Sequence, residues 1–359
     1  MKKILLLLML TSLLSFTLAQ EADTPAKLSV NGYVEAYYGF DTSRPADHSR
    51  PSFVYSHNRH NELGLNLGLI RTSYDASRVR ARLSLMVGDY ANANLAAEPG
   101  VLKNVFEAYA GAKLSEKQEL WVEAGIFPSH IGFESAIGKD CWNLTRSMMA
   151  DNSPYFESGA KLSWTSNTGK WFLSGLLLNG WQRIRRVEGN QTPAFGTQVT
   201  FKPNGAITLN SSTFIGNDKP DSLRQMRYFH NFYGIFQLAP SLAATVGFDI
   251  GAEQQARGAD AYNLWYTPVV MLRLTPGDKL ALNLRGEYYR DDAGVIIASG
   301  TPNGFQTFSY TLGLDYLFHP QAVWRIEGRG YSSKDAVFVR KGDPATTNAF
   351  FTTSLAVSF

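Results

Sequence analysis

Apolar and polar side chains alternate at every second position along most of the chain. The clearest case is residues 78–90, where Val79 and Leu83 share one face while Arg80 and Arg82 share the other. Successive side chains of a β-strand point to opposite faces, so this pattern predicts a strand with one apolar face. The arginine face must meet water or acidic partners, because an unpaired buried charge is very costly.

The same two-residue period predicts sixteen strands. They are residues 28–40, 62–70, 78–90, 105–114, 119–126, 158–165, 171–178, 192–201, 207–215, 227–238, 242–251, 263–274, 279–290, 305–317, 322–331 and 350–359. In the second of these, Leu63, Leu65, Leu67 and Leu69 are predicted to share one apolar face. The faces of the seventh, ninth and tenth are ambiguous, which leaves the count open by two. No stretch after the N-terminus shows a convincing helical period.

The connections between these strands alternate in length. Seven are turns of roughly three to six residues, and eight are loops of about ten or more, which is the pattern of an outer-membrane barrel with an even strand number. Tilted strands of about 9 to 11 residues span the hydrocarbon layer. The predicted fold is therefore an all-β, transmembrane, antiparallel up-and-down β-barrel of about 16 strands. A soluble β-sandwich does not predict so regular an alternation of short and long connections.

Residues 128–156 form the longest stretch without this alternation. Connections of more than about 12 to 15 residues without structure of their own are uncommon and usually functional or disordered. This one is too apolar for disorder, with Phe133, Trp142, Met148 and Tyr155 among its side chains. Two interpretations stay open: the segment folds into the barrel and narrows it, or it packs as an ordinary surface loop.

The N-terminus is predicted to be a secretory signal peptide over residues 1–19. Lys2 and Lys3 precede an apolar stretch that ends in small residues. We expect a short periplasmic N-terminus at 20–27 and the barrel over 28–359. The chain is thus expected to pass through the periplasm to the cell outer membrane after the signal peptide is removed.

Composition and charge narrow the function classes. Aromatic residues make up 13% of the chain, and those near strand ends, such as Tyr38, Tyr90 and Trp171, are expected to form interfacial girdles. Without its two signal-peptide lysines the chain keeps 32 of its 34 basic residues against 31 acidic ones, so a nucleic-acid partner is not expected. Cys141 is the single cysteine, which excludes an internal disulfide. The loop histidines are not accompanied by other metal-ligating residues, so we expect neither a metal nor another cofactor.

The polar faces line the interior if the apolar faces meet lipid. Arg78, Arg80 and Arg82 form the only single-sign series on a predicted inner face, here called the arginine ladder. Acidic groups of segment 128–156 are candidates to face this ladder and create a transverse field that orients polar solutes. Alternatively, the ladder pairs with glutamates of neighbouring strands and holds the wall together. The candidate pore-lining residues are Arg78, Arg80, Arg82, Glu107, Glu119, Glu123, Glu134, Asp140, Arg146 and Asp151.

Two features resemble known outer-membrane proteins. The C-terminal Phe359 follows apolar residues at every second position, which resembles the strand that the barrel-assembly machinery recognises. The second feature is the order Pro128, Gly132, Glu134, Asn143, Arg146, Ser147, Pro154, Gly159, Asn179, Gly180 and Trp181. This order resembles the putative β-barrel porin-2 family (OmpL-like), which is common in Gram-negative Bacteroidetes. The resemblance implies an outer-membrane pore and says little about its solute.

The leading functional prediction is a porin for passive diffusion of small hydrophilic solutes, with outer-membrane lipid as its surroundings. Nine basic against eight acidic residues on the predicted inner faces indicate no strong overall ion preference. Alternatives are a substrate-specific channel, a structural or adhesive barrel with a blocked lumen, and a membrane-embedded hydrolase using Ser56 and His57. The hydrolase is disfavoured, because adjacent residues of an extended chain point to opposite sides, and no enzymatic activity is expected. The oligomeric state stays open, and a homotrimer is the arrangement that analogy with other 16-stranded porins suggests.

Overall fold

Sixteen strands pair in chain order and close into one antiparallel β-barrel in the computed structural model, which describes residues 26–359. The last barrel strand pairs with the first, with Ala36 opposite Leu355, so that no strand edge is left open. The fold predicted from the alternation of side chains is therefore confirmed. The predicted signal peptide lies outside the described residues.

The strands are β1 Lys27–Asp41, β2 Leu63–Asp75, β3 Val79–Val87, β4 Val105–Lys113, β5 Glu119–Pro128, β6 Phe156–Thr165, β7 Trp171–Leu178, β8 Ala194–Asn204, β9 Ile207–Asn217, β10 Met226–Ala239, β11 Leu242–Gln254, β12 Tyr262–Leu274, β13 Leu280–Asp291, β14 Phe305–His319, β15 Ala322–Ser333, β16 Phe338–Arg340, β17 Asp343–Ala345 and β18 Thr347–Ser358. Strands β16 and β17 form a separate hairpin in the last long loop. Two α-helices, α1 Asp89–Asn94 and α2 Met148–Asp151, and three short 3-10 helices, Gly100–Asn104, Gly138–Asp140 and Asp221–Leu223, lie in loops. Within residues 26–359, no helix is long and apolar enough to cross a membrane.

The two ends of the barrel differ as the sequence predicts. Short turns such as residues 205–206 and 320–321 lie at one end, here called the short-turn end, and all long connections lie at the other, the long-loop end. The chain also ends at the short-turn end. There the backbone N–H of Gly32 donates to the carbonyl of Phe359 at 2.7 Å, and that of Phe359 donates back at 3.0 Å.

Side chains point alternately to lipid and to the lumen. Leu83, Leu282 and Leu312 are exposed on the outer surface, while the polar residues beside them in sequence are buried inside. The three strands with ambiguous faces follow the same rule. Their lumen-facing side chains include Ser174 and Leu176 on β7, Asn210 and Ser212 on β9, and Arg227 and Asn231 on β10.

Strand β2 departs from the predicted alternation. A one-residue bulge at Asn66 separates the Glu35–Leu67 pair from the next pair along the strand. Because a bulge shifts which side chains share a face, Leu67 and Leu69 point into the barrel and are 0% and 5% exposed, while Leu65 stays on the lipid side. The prediction that all four leucines share one face was wrong.

Two other expectations also need correction. Tyr90, expected in an interfacial girdle, lies in α1 and is 2% exposed, packed inside the long-loop end. The helices α1 and α2 escaped prediction because they contain only 6 and 4 residues, too few for a helical period to show.

Candidate functional site

Segment 128–156 folds into the barrel. It leaves β5 and rejoins β6 at the long-loop end. Its middle reaches the short-turn end, where Lys139 Nζ donates to Ser358 Oγ at 2.7 Å and to the Pro320 carbonyl at 2.9 Å. The segment therefore runs through most of the barrel's depth and is not a surface loop.

His130 anchors the beginning of the segment. Its Nδ1 lies 2.7 Å from Glu157 Oε2 and its Nε2 lies 2.8 Å from the Thr213 carbonyl oxygen. The Ser212 hydroxyl donates to the His130 carbonyl at 2.7 Å. The imidazole reaches β8 and β9 because Gly196 has no side chain: a Cβ there would stand 2.6 Å from Nε2. Burial favours the neutral ring, but Glu157 and the Thr213 carbonyl outweigh it and raise the His130 pKa above its usual value.

Two buried carboxylates hold the middle of the segment on the opposite wall. Glu327 Oε2 accepts the backbone N–H of Leu144 at 2.9 Å, and Glu287 Oε2 accepts that of Met148 at 2.5 Å. The Thr145 hydroxyl also donates to Glu327. Both carboxylates are buried, and a buried carboxylate is tolerated only where hydrogen bonds and opposite charges surround it.

Arginines of the same wall bind the carbonyl groups of the segment. Arg325 donates to the carbonyls of Gly138 at 2.8 Å and Trp142 at 2.5 Å, and Arg329 donates to that of Arg146 at 2.8 Å. The charged inner face of β13–β15 is therefore directed at the segment's backbone rather than at open lumen.

Arg146 points into the segment itself. It is fully buried and donates to the carbonyls of Ser135 at 2.7 Å, Leu144 at 2.7 Å and Ala136 at 3.2 Å. The guanidinium thus joins two parts of the segment. Its predicted position on the pore lining was wrong, because it has no surface in contact with the lumen.

The acidic residues of the segment do not meet the arginine ladder. Glu134 accepts the backbone N–H of Ser147 at 3.0 Å and lies 3.8 Å from Arg285 of β13. Asp151 is buried and accepts the backbone N–H of Tyr55 at 3.4 Å, and burial raises its pKa to about 7. Asp140 is exposed in the 3-10 helix near the short-turn end. These contacts do not place the acidic groups opposite the ladder. The predicted transverse field between the two sets of charges is therefore not formed.

The ladder arginines instead pair with carboxylates of neighbouring strands and turns. The pairs are Arg78–Glu116 at 2.9 Å, Arg80–Glu123 at 2.8 Å and Arg82–Asp75 at 2.8 Å. The other two predicted glutamates are also paired, Glu107 with Arg71 at 2.8 Å and Glu119 with Lys113 at 2.5 Å. These contacts favour the interpretation in which the charges hold the wall together.

The loop between β1 and β2 also enters the barrel. His57 is completely buried, with Nε2 3.3 Å from Glu35 Oε1, and its backbone N–H donates to Asn66 Oδ1 at 2.9 Å. Burial lowers the pKa of His57. Ser56 Oγ has no hydrogen-bond partner among the described residues, so it is not paired with the adjacent imidazole as a nucleophile would be.

An apolar cluster lies inside the barrel at the long-loop end. Trp181 packs edge-on against Phe214 and Phe229, with ring centroids 5.0 Å and 4.8 Å apart. The cluster joins strands, loops and the segment, and its buried members include Phe53, Phe127, Ile131, Met148, Trp265 and Phe305. The sequence did not predict it, because several of these residues lie in loops where no periodic face marks them as inward.

The residues of the family resemblance lie where the segment and the neighbouring loop turn. Gly132 has a φ of 85°, in the region that favours glycine, just after His130. Asn143 is buried within the segment, and Asn179 Nδ2 donates to the Ile184 carbonyl at 2.8 Å across the loop that carries Trp181. Their positions indicate roles in shaping these two insertions. His130 was missed as an anchor, and its only signal was a polar ring at the start of an apolar segment.

Comparison with known proteins agrees with this architecture. The chain superposes on an anion-selective porin from Comamonas acidovorans with a TM-score of 0.61 and 10% identity, covering 93% of this chain and 100% of that one. It superposes on the trimer form of OmpT from Vibrio cholerae with a TM-score of 0.60 and 9% identity, covering 93% and 99%. For the outer-membrane channel DcaP of Acinetobacter baumannii the TM-score is 0.58 at 11% identity, covering 93% and 97%.

At such identities these structures share the fold with this chain. No curated protein sequence matches it. The family model described as "Putative beta-barrel porin-2, OmpL-like" matches residues 27–359, which is the whole barrel. The chain belongs to this family of outer-membrane porins.

Proposed function

We propose that this porin allows small hydrophilic solutes to diffuse passively along the space between segment 128–156 and the wall formed by β3–β9. A 16-stranded barrel is wide enough for an aqueous channel. The observation that carries the proposal is the docking of the segment's middle on β13–β15 through Glu287 and Glu327. The middle of the segment, held on one side of a wide lumen, narrows the lumen and leaves the opposite wall as the path between the His130 anchor and the short-turn end.

Cavities at both ends of the lumen support this path. One of about 420 Å³ lies at the long-loop end and is lined by Asp151, Trp181 and Arg227, among others. Another of about 500 Å³ lies at the short-turn end, inside β6–β10. In an outer-membrane barrel the short turns face the periplasm and the long loops face outside, so these are the two mouths of the proposed pore.

A second candidate is a structural or adhesive barrel with a blocked lumen. The apolar cluster at the long-loop end favours it, because Trp181, Phe214 and Phe229 pack there without space for water between their rings. In either case we propose a barrel without enzymatic activity, which the porin family supports. The proposed partners are outer-membrane lipid, the barrel-assembly machinery through Phe359, and two further copies of the chain in a homotrimer.

Planar-bilayer conductance separates the two candidates. The wild type is compared with a variant lacking residues 131–150 and with a control lacking residues 256–260, an exposed part of the β11–β12 loop. Steady wild-type steps that grow after the first deletion and stay unchanged in the control support the narrowed pore. A silent wild type that conducts only after the first deletion establishes the blocked barrel instead.

A further inference from the structure

The cavity at the short-turn end has basic side chains and hydroxyl groups on its wall. We call it the basic recess: it has a volume of about 500 Å³, and its lining includes Lys170, Lys202, Thr165 and Thr208. Thr165, Lys202 and Thr208 lie near the short-turn ends of β6, β8 and β9, and Lys170 lies in the turn after β6. Its lining residues, all of them described, include no carboxylate.

The two lysines of the recess stand opposite each other. The backbone N–H of Lys202 donates to the carbonyl of Lys170 at 2.8 Å, which places their side chains on neighbouring chain segments at one level. Like charges in directly opposed positions destabilise an antiparallel pair. The lysine ion pairs within residues 26–359 are those of Lys113, Lys161 and Lys219, so both ammonium groups of the recess lack an acidic partner. An anion between them would remove the repulsion.

On the neighbouring wall two ion pairs expose the cation more than its acid, whereas Arg82–Asp75 and Lys113–Glu119 expose the acid more. Arg71 is 34% exposed while its partner Glu107 is 5% exposed, and Arg80 is 26% exposed while Glu123 is 2% exposed. Lys161 shares Glu123 with Arg80 at 2.8 Å, so one carboxylate serves two cations. This wall therefore exposes charges of both signs, whereas the recess holds cations that lack an acidic partner among the described residues.

The recess also offers an apolar surface. Phe172, Ile235 and Tyr233 also line it. Ammonium groups bind carboxylates and phosphates as point charges, threonine hydroxyls can donate to the same oxygens, and the rings can contact a short hydrocarbon body.

We propose that the basic recess binds small organic anions bearing a carboxylate or phosphate, and that it makes the pore prefer anions to cations. The second half rests on the proposed porin function, whereas binding in the recess does not. Because the recess lies at the periplasmic mouth, it would bind an anion at the point where the anion enters or leaves the pore.

Citrate binding tests the recess without requiring conduction. The folded barrel in detergent is titrated with citrate by calorimetry at low ionic strength, as wild type, as K170Q/K202Q and as the control K117Q, which removes an exposed lysine of the β4–β5 turn. We expect at least a tenfold weaker affinity for K170Q/K202Q and no change for K117Q. Equal affinities in all three proteins, or no citrate binding to the wild type, would overturn the recess. Heat-modifiability on gels shows that each variant has folded.

Reversal potentials test the preference of the pore. Under a tenfold KCl gradient the wild type is expected to pass chloride more readily than potassium, and K170Q/K202Q is expected to lose much of that preference while K117Q keeps it. A conducting wild type that prefers potassium refutes the anion preference and leaves the porin intact. A silent wild type that still binds citrate refutes passive diffusion and leaves the recess.

Discussion

His130 and Glu157 close the two ends of segment 128–156 through a single contact, in which Nδ1 lies 2.7 Å from Oε2. His130 is the third residue of the segment, and Glu157, the second residue of β6, follows the segment directly. The Nε2 of the same ring meets the Thr213 carbonyl at 2.8 Å, so both ring nitrogens face acceptors and the imidazolium form satisfies both. We therefore expect the stability of this anchor to depend on pH.

The pKa of His130 predicts that the segment is held less firmly at alkaline pH. Burial works against the imidazolium, but Glu157 and the Thr213 carbonyl raise the pKa above its unfolded value, which is about 6.5. The stabilisation is therefore complete below about pH 6.5 and is lost as the pH rises through the folded-state pKa. We expect the urea midpoint of the wild type to fall as the pH is raised above about 6.5 and to change much less in His130→Gln.

His319 provides the matched control for this experiment. It lies exposed at the end of β14, at the short-turn end. His319→Gln should keep the alkaline decrease of the wild type. A decrease that persists in His130→Gln would assign the effect to another group.

Removal of the Asp151 charge is expected to stabilise the protein. Burial raises its pKa to about 7, with Arg329 and Arg146 opposing the shift. Ionisation of a group whose pKa is raised on folding costs stability as the pH increases from the unfolded to the folded pKa. At pH 8 the free energy of unfolding of Asp151→Asn, measured with urea, should therefore exceed that of the wild type by on the order of 2 to 4 kcal/mol. Below about pH 4, where the carboxyl is protonated in both states, the two proteins should unfold alike.

Substitution of Glu287 is expected to lower the stability of the barrel and to weaken the docking of segment 128–156. Its carboxylate accepts Met148 N–H at 2.5 Å and pairs with Arg329 at 2.6 Å and Arg285 at 3.0 Å, all out of contact with water. Glu287→Gln leaves the buried guanidinium of Arg329 without its counter-charge and that of Arg285 with only the more distant Glu134, which costs roughly 3 to 5 kcal/mol. We expect lower urea midpoints and faster protease cleavage within segment 128–156.

Glu116→Gln is the comparison for Glu287→Gln. Glu116 pairs with Arg78 at 2.9 Å on the exposed rim of the short-turn end, and exposed ion pairs contribute little. This variant should match the wild type in both measurements. Equal losses in the two variants would mean that the buried network does not hold the segment.

Phe359 predicts a defect in barrel assembly. Its backbone exchanges two hydrogen bonds with Gly32 at 2.7 and 3.0 Å, while its ring is 66% exposed on the outer surface over that glycine. Deletion of Phe359 removes both hydrogen bonds at the seam between β1 and β18. We expect a smaller heat-modifiable fraction in outer membranes, whereas Phe359→Tyr should preserve it. Normal assembly of the deletion variant would refute a role for Phe359.

The sequence by itself determined the barrel. About sixteen strands, their short and long connections and most of their faces follow from a period of two, because a lipid-facing strand must alternate apolar and polar side chains and a closed barrel satisfies every backbone group. The exception is β2, where the bulge at Asn66 turned Leu67 and Leu69 inward. A bulge adds one residue without a signal in the apolar pattern, so no count of alternation could show it.

Only the tertiary structure decided what occupies the lumen. Segment 128–156 has no periodic face, and its position depends on contacts such as that of Leu144 with Glu327, which lie 183 residues apart in the chain. The sequence allowed several ion-pair partners for each charge on an inner face. Only the distances in the closed barrel show which partner each charge has. The ladder thus pairs along the wall, Arg146 turns into the segment, and His130 becomes an anchor. Local alternation specifies which side of the wall a residue faces, whereas three-dimensional proximity alone specifies what it meets there.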